Sequence, residues 1–208
     1  MGAPMIDELI SAERRRSFYI DGRWVNAAER ATAPVVNPAT EEVFADVALG
    51  DAGDVNAAVA AAHRAFASYS AWPVAERGAL LGRIHAMLLE RAEQFAQTLT
   101  LEMGAAISYA RSAQVPFAAE HVRVAREVLA GYALLEMRGT TAIVREPVGV
   151  CALITPWNWP LYQITAKVAP ALAAGCTVVL KPSELSPFSA LLFAQVVHDA
   201  GAPAGVFN

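Results

Sequence analysis

The feature that most constrains this chain is a repeated progression in its last third: apolar run, short polar loop, helix-length segment. "VGVCALI" leads through "TPWNWP" into "LYQITAKVAPALAA", and "TVVL" leads through "KPSELS" into a segment expected to be helical from about Ser186 to Asp199. The first run is apolar at successive positions and not only alternate ones. That predicts an interior parallel strand covered by helices on both sides. Pro170 predicts an irregularity in the first helix and Gly175 its end. After the Gly201-Ala202-Pro203 turn, "GVFN" reads as the opening of a third strand. This spacing favours right-handed parallel crossovers over a hairpin. In such sheets ligands bind beyond the carboxyl ends of the strands. Both polar clusters, Thr155 to Asn158 and Lys181 to Glu184, fall at those ends.

Composition agrees with an α/β body. The chain has 208 residues, 55% of them hydrophobic, and a net charge of −4, which suits one domain or slightly more with a substantial core. Basic residues are scattered apart from Arg14, Arg15 and Arg16, so no nucleic-acid surface is expected. Cys151 and Cys176 lie in apolar segments, too few for a disulfide framework and without metal-ligand spacing; they read as free buried thiols. His63, His85, His121 and His198 form no compact ligand motif, and no metal is expected. The first twenty positions, with Asp7, Glu8, Glu13 and three arginines, show no apolar core of signal-peptide form. No apolar run reaches membrane-spanning length, so the expected compartment is the cytoplasm.

Upstream, a helix is expected over about Met5 to Arg16, loosely attached because it carries few large apolar residues. From Ser17 to Leu49 the texture is that of short strands. "FYIDGRWV" predicts a hairpin turned at Asp21-Gly22, and Asn37-Pro38 a turn before a strand near Glu42 to Ala48. A helix should start near Asp54, capped by that carboxylate, with Val55, Val59, Ala62, Phe66 and Tyr69 as its buried stripe. Trp72-Pro73 interrupts. A second helix, Ala75 to Glu90, presents Leu80, Ile84, Met87 and Leu88 inward with Arg91 at the edge. Phe95, Leu99 and Met103 mark a third, which Gly104 stops; a fourth covers Phe117 to Ala130, ending at Gly131. "TAIVRE" reads as a strand.

The chemistry of the polar clusters leaves alternatives open. The Asn158 amide is a donor that either stabilises negative charge developing on a carbonyl oxygen or caps the following helix. Trp157 and Trp159 wall a pocket or fill the sheet edge. Lys181 and Glu184 bind a polar ligand with paired hydroxyls or bridge one another on the surface. Lys167 either donates toward the central site or snorkels to solvent. There is no G-x-G-x-x-G and no G-x-x-x-x-G-K-[ST] sequence, which counts against the usual dinucleotide fingerprint and against a P-loop.

"EPVGVCALITPWNWP", "KVAPALAAGCTVVLKPSELSP" and "GAPAGVFN", preceded in order by "FYIDGRWV", "VVNPATEEVFADVALG" and "LEMGA", resemble the aldehyde dehydrogenase superfamily over nearly the whole chain after its first fifteen or so residues. The resemblance implies a Rossmann-like cofactor domain without the glycine fingerprint, here truncated, with N-terminal helices and part of the oligomerisation hairpin. It divides the chain into a helical extension (1–16), the N-terminal part of the cofactor domain (17–130), bridging or oligomerisation strands (131–147) and a cofactor-binding core (148–208). It implies Asn158 as an oxyanion-hole residue and Lys167 in a proton-transfer network. Ile154, Thr155, Pro156 and Trp157 then flank the nicotinamide and ribose, while Lys181 and Glu184 contact the adenosine ribose. Trp159 and Tyr162 line the aldehyde entrance.

The activity so implied is oxidation of a small aldehyde to a carboxylic acid through a cysteine thiohemiacetal and thioester, with NAD+ favoured over NADP+, in a homodimer or homotetramer. Neither Cys151 nor Cys176 matches the family's nucleophile, and the matching glutamate base is also expected beyond Asn208. The chain is therefore expected to be a piece of a longer protein, inactive by itself. The alternative is a noncatalytic nucleotide-binding or structural module, distinguished by whether the encoded frame continues into the glutamate and cysteine motifs.

Overall fold

The computed structural model describes residues 6–208; Met5, the expected start of the first helix, lies outside them. That helix is two short ones, α1 (Ile6–Leu9) and α2 (Ala12–Arg15). Ser11 breaks them apart, its Oγ accepting from Arg14 N at 3.3 Å to cap the second. Contrary to the expectation from composition, this strap is firmly docked. Ile6 and Ile10 are buried, and Gln94 Nε2 donates to Leu9 O at 2.7 Å.

The short strands form two antiparallel ribbons. β1 (Ser17–Ile20) pairs with β2 (Arg23–Asn26), and β3 (Thr32–Asn37) with β4 (Glu42–Ala48). Asp21 (φ 53°) and Gly22 (φ 75°) both take positive φ, as a two-residue hairpin whose twist matches its strands requires. The turn is stitched to the far end of the chain, where Asp21 N donates to Asn208 Oδ1 at 2.9 Å.

Helix α3 (Ala52–Tyr69) is capped by Asp51 and not Asp54. Asp54 sits at the third helical position and completes a capping box, its carboxylate reaching back to Asp51 N at 2.9 Å. Ala62 and Tyr69 are buried as expected, but Ala58, Ala61 and Ala65 complete the buried face, while Val55 is exposed. Alanine lets the helix lie close to β8 (Thr177–Lys181), against which it packs. Helices α4 (Val74–Glu90) and α5 (Ala92–Met103) follow, the latter stopped by Gly104 in the left-handed region (φ 76°). One continuous helical rod then runs from Ile107 to Gly131: α6 (Ile107–Tyr109), a π-helical segment (Ala110–Gln114) and α7 (Val115–Gly131). An exposed hairpin of β5 (Leu135–Arg138) and β6 (Thr141–Val144) leads to β7 (Val150–Ile154).

Strands β7 and β8 are parallel, in register from Val150↔Thr177 to Ile154↔Lys181, and joined by α8 (Pro160–Ala174). Gly175 ends α8 at φ 90°, its missing side chain leaving room for the buried Arg77 guanidinium. After α9 (Phe188–Asp199), Phe207 pairs in parallel with Val178, the third strand opening as expected. Among the described residues β7 pairs with β8 alone and α3 lies chiefly over β8, which leaves Ala152 and Ile154 exposed. The main core lies where α7 packs between α4 and α8, with α5 and α9 closing one end.

Glu102 on α5 is the one fully buried carboxylate among the described residues. Its Oε2 accepts from Phe188 N at 2.6 Å, and its Oε1 from Ser189 N at 3.1 Å and from Ser189 Oγ. Burial pushes the carboxyl up from 4.5 to about 7, against these three donors, which favour the charged form. Between those values the unfolded chain has released the proton that the native chain still holds. The contribution is therefore fully present below pH 4.5 and is lost as pH rises through about 7. Urea unfolding at pH 4.5 and about pH 7.5 should show the native sequence losing on the order of 3 kcal/mol more than Glu102→Gln. Equal losses would remove the assignment.

Candidate functional site

Parallel pairing brings two loops out side by side. Ile154 and Lys181 are opposite one another at the carboxyl ends of β7 and β8. Thr155 N donates to Lys181 O at 3.2 Å, and Ser186 Oγ to Trp157 O at 3.4 Å. The Thr155–Trp159 and Pro182–Ser186 loops are thus tied together at entry and exit. All the site residues expected from the sequence lie on these loops, the adjoining strand ends, or the first half of α8.

Thr155 is buried and anchors its loop; Ile154, Pro156, Trp157 and Asn158 are exposed at its surface. Trp159 starts α8 with no side-chain cap, so Asn158 does not cap that helix and its amide remains available as a donor. Pro160 at the first helical position needs no partner for a missing N–H. Lys167, further along α8, neither reaches the loop nor runs out to solvent: Nζ donates to Gln163 Oε1 at 2.7 Å, partly buried.

Lys181 Nζ and Glu184 Oε2 form an exposed ion pair at 3.1 Å. A hydrogen bond to its own backbone N–H, with Lys181 beside it, holds Glu184 below the usual carboxylate range. The pair stands at the mouth of a largely apolar cleft of about 220 Å³, bounded by β1, the Val47–Gly50 turn, the start of α3 and the β8–α9 connection. Asp54 on its wall is neutralised by Arg30, whose guanidinium donates to both carboxylate oxygens at 2.8 and 3.0 Å.

On the other side of Asn158 the rod from Ile107 to Gly131 supplies aromatic groups that sequence periodicity did not mark. Trp159 meets Tyr109 edge-on at 5.9 Å, stacks with Phe117 at 6.4 Å and contacts Tyr162 at 5.4 Å; His121 lies against Tyr162 at 4.4 Å. On an uninterrupted α-helix, Tyr109 and Phe117 would be separated by roughly 80° of rotation. The wider π turn between them absorbs one extra residue and aligns both rings on Trp159. The signal that would have found them is the aromatic pair eight residues apart, read with a phase shift.

Neither cysteine enters this site. Cys151 sits at the amino-terminal half of β7, and Cys176 is buried before β8. Burial, with Cys176 nearby, pushes the Cys151 thiol up to about 11, away from the reactive thiolate. Among the described residues there is no cluster of side chains suited to a metal ion, and no helix long and apolar enough to cross a membrane.

Comparison with known proteins resolves the class. The chain is 64% identical to a cysteine-to-alanine mutant of aldehyde dehydrogenase C from Pseudomonas syringae, solved with NAD+ and octanal, at a TM-score of 0.94 over 96% of this chain and 41% of that one. Against betaine aldehyde dehydrogenase from Staphylococcus aureus, solved with NAD+, identity is 33% and the TM-score 0.90 over 97% of this chain and 41% of that one. A 3-succinoylsemialdehyde-pyridine dehydrogenase from a Pseudomonas species is 48% identical over 93% of this chain and 41% of its own length. The chain thus spans about two fifths of the length of these relatives. Residues 24–208 match the Aldehyde dehydrogenase family, and with the likeness holding in sequence and in fold, this chain belongs to that family.

Proposed function

We propose that this chain supplies the cofactor-binding and oxyanion-stabilising part of an NAD+-dependent aldehyde dehydrogenase. The observation that carries the reading is the Ile154↔Lys181 register, which sets an uncapped Asn158 amide and an exposed Lys181–Glu184 pair on adjacent loops. Lys181 offers donors and Glu184 an acceptor within 3.1 Å, matching the two hydroxyls of a ribose, beside a cleft apolar enough for a flat base. NAD+, when bound, would accept the hydride. Glu184, held in its charged form, repels a 2′-phosphate, so NAD+ is preferred to NADP+. Ile154, Thr155, Pro156 and Trp157 would shape the nicotinamide end.

When a nucleophile attacks an aldehyde carbonyl, negative charge gathers on its oxygen. Asn158 Nδ2 donates to that oxygen from a position fixed before reaction by the buried Thr155 and by the start of α8. Lys167 Nζ, bonded to Gln163, is assigned to proton transfer. The nucleophile comes from neither Cys151 nor Cys176. Trp159 and Tyr162, with Tyr109 and Phe117, wall the entrance and favour aldehydes with apolar or aromatic substituents; the octanal and the pyridine-bearing compound named for two of the relatives fit that chemistry. The exposed Leu135, Met137 and Val144 of the β5–β6 hairpin support its assignment to a homodimer or homotetramer contact.

The decisive experiment is aldehyde-dependent NADH formation by the protein that carries this chain. Asn158→Ala should lower kcat by about 10²–10³-fold with NAD+ affinity little changed. Unchanged kcat would refute the oxyanion assignment. Across a panel of aldehydes, Trp159→Ala should raise KM most for aromatic and medium-chain substrates; a native preference for charged semialdehydes would reject the apolar entrance. Residues 1–208 alone should give no turnover, and turnover abolished by replacing Cys151 or Cys176 in folded protein would overturn the placement of the nucleophile.

A further inference from the structure

The backbone N–H groups at the start of a helix need acceptors, and most helices find them in a local Ser, Thr, Asp or Asn. Helix α9 does not. Its cap position is Pro187, with no side-chain cap. The acceptor comes instead from α5: the buried Glu102 carboxylate takes Phe188 N and Ser189 N, one on each oxygen, together with Ser189 Oγ. Phe188 is pinned on its other side as well, its ring edge-on to Phe44 at 5.8 Å.

Helix α9 begins directly after the turn that carries Lys181 and Glu184. That turn enters from β8, where Lys181 O accepts from Thr155 N, and leaves at the Glu102-held residues. The Lys181 and Glu184 side chains are largely exposed and bond to each other, so their placement follows the backbone between these two anchors. From this geometry we propose that Glu102 is a positioning residue for nucleotide binding. From α5, it fixes the exit of the Lys181–Glu184 turn and so holds that pair at the spacing that a ribose requires. The inference rests on the reading of Lys181 and Glu184 as the ribose-binding pair.

Above about pH 7, where the Glu102 carboxylate is charged, Glu102→Gln keeps the shape but turns one acceptor into a donor facing the start of α9. In the protein carrying this chain it should raise KM for NAD+, and the inhibition constant of ADP-ribose, about five- to tenfold, the scale of one lost hydrogen bond. The value of kcat should stay within about twofold, and KM for the aldehyde should not move. Ser189→Ala, which keeps both backbone bonds, should give a smaller rise in the same direction and serves if the Gln variant does not fold. In a Lys181→Ala/Glu184→Ala background, Glu102→Gln should add nothing further to KM for NAD+, because the pair that it positions is gone. An unchanged KM for NAD+ in a folded Glu102 or Ser189 variant, an equal loss across kcat and both KM values, or an undiminished effect in the double background would overturn the proposal. If Lys181→Ala/Glu184→Ala itself leaves NAD+ and ADP-ribose unaffected, the ribose reading falls and takes this inference with it.

Discussion

The structure depends first on the parallel pairing of β7 with β8. A parallel pair cannot be closed by a tight turn; it needs a crossover long enough to return the chain to the same end of the sheet. Helix α8 is that crossover, and it has to pack on the sheet while it travels. Two consequences follow from this single constraint. Both loops leave from the same edge, so the loop that carries Asn158 and the loop that carries Glu184 lie side by side. The remaining helices are recruited to cover α8 and the two faces of a narrow sheet.

That cover is built by long-range polar stitches as much as by apolar packing. Asn208 binds the Asp21 turn through Oδ1 and Val178 O and Gly205 O through Nδ2, joining the first hairpin to the third strand. Thr177 Oγ1 donates to Ala62 O on α3, and Tyr69 OH to Leu172 O on α8. Glu102 does the same for α5 and α9. In each case a buried polar group costs free energy unless it is paired, so the pairing specifies one arrangement of elements over others of similar apolar burial.

Much of this was legible in the residues. The hairpin at Asp21-Gly22, the stops at Gly104 and Gly175, the β8 run and the loops at both strand ends are local statements, written in turn chemistry and apolar runs that need no partner to be read. The misreadings share a different cause. Ala58, Ala61 and Ala65 join Ala62 on the buried face of α3 because the sheet lies close, a distance set by the sheet and invisible to a search for large apolar side chains. Asp51 and Asp54 are both capping residues, and only the geometry of the box assigns their places. Tyr109 and Phe117 escaped because a π turn shifts the helical phase between them.

The sequence by itself determined the kind of protein: a parallel α/β chain with polar loops at two successive strand ends, and a set of ordered motifs specific enough to name the family. These are properties of local order along the chain, since strand runs, crossovers and caps are each decided within about twenty residues. Only the tertiary structure decided that Asn158 leaves the α8 cap unmade and that Lys181 pairs with Glu184 at 3.1 Å. It alone decided that an aromatic group from the Ile107–Gly131 rod leans on Trp159 and that Glu102 reaches across to the start of α9. The last two of those facts set the direction of a side chain against a distant part of the chain, and such directions come into being only when the elements pack.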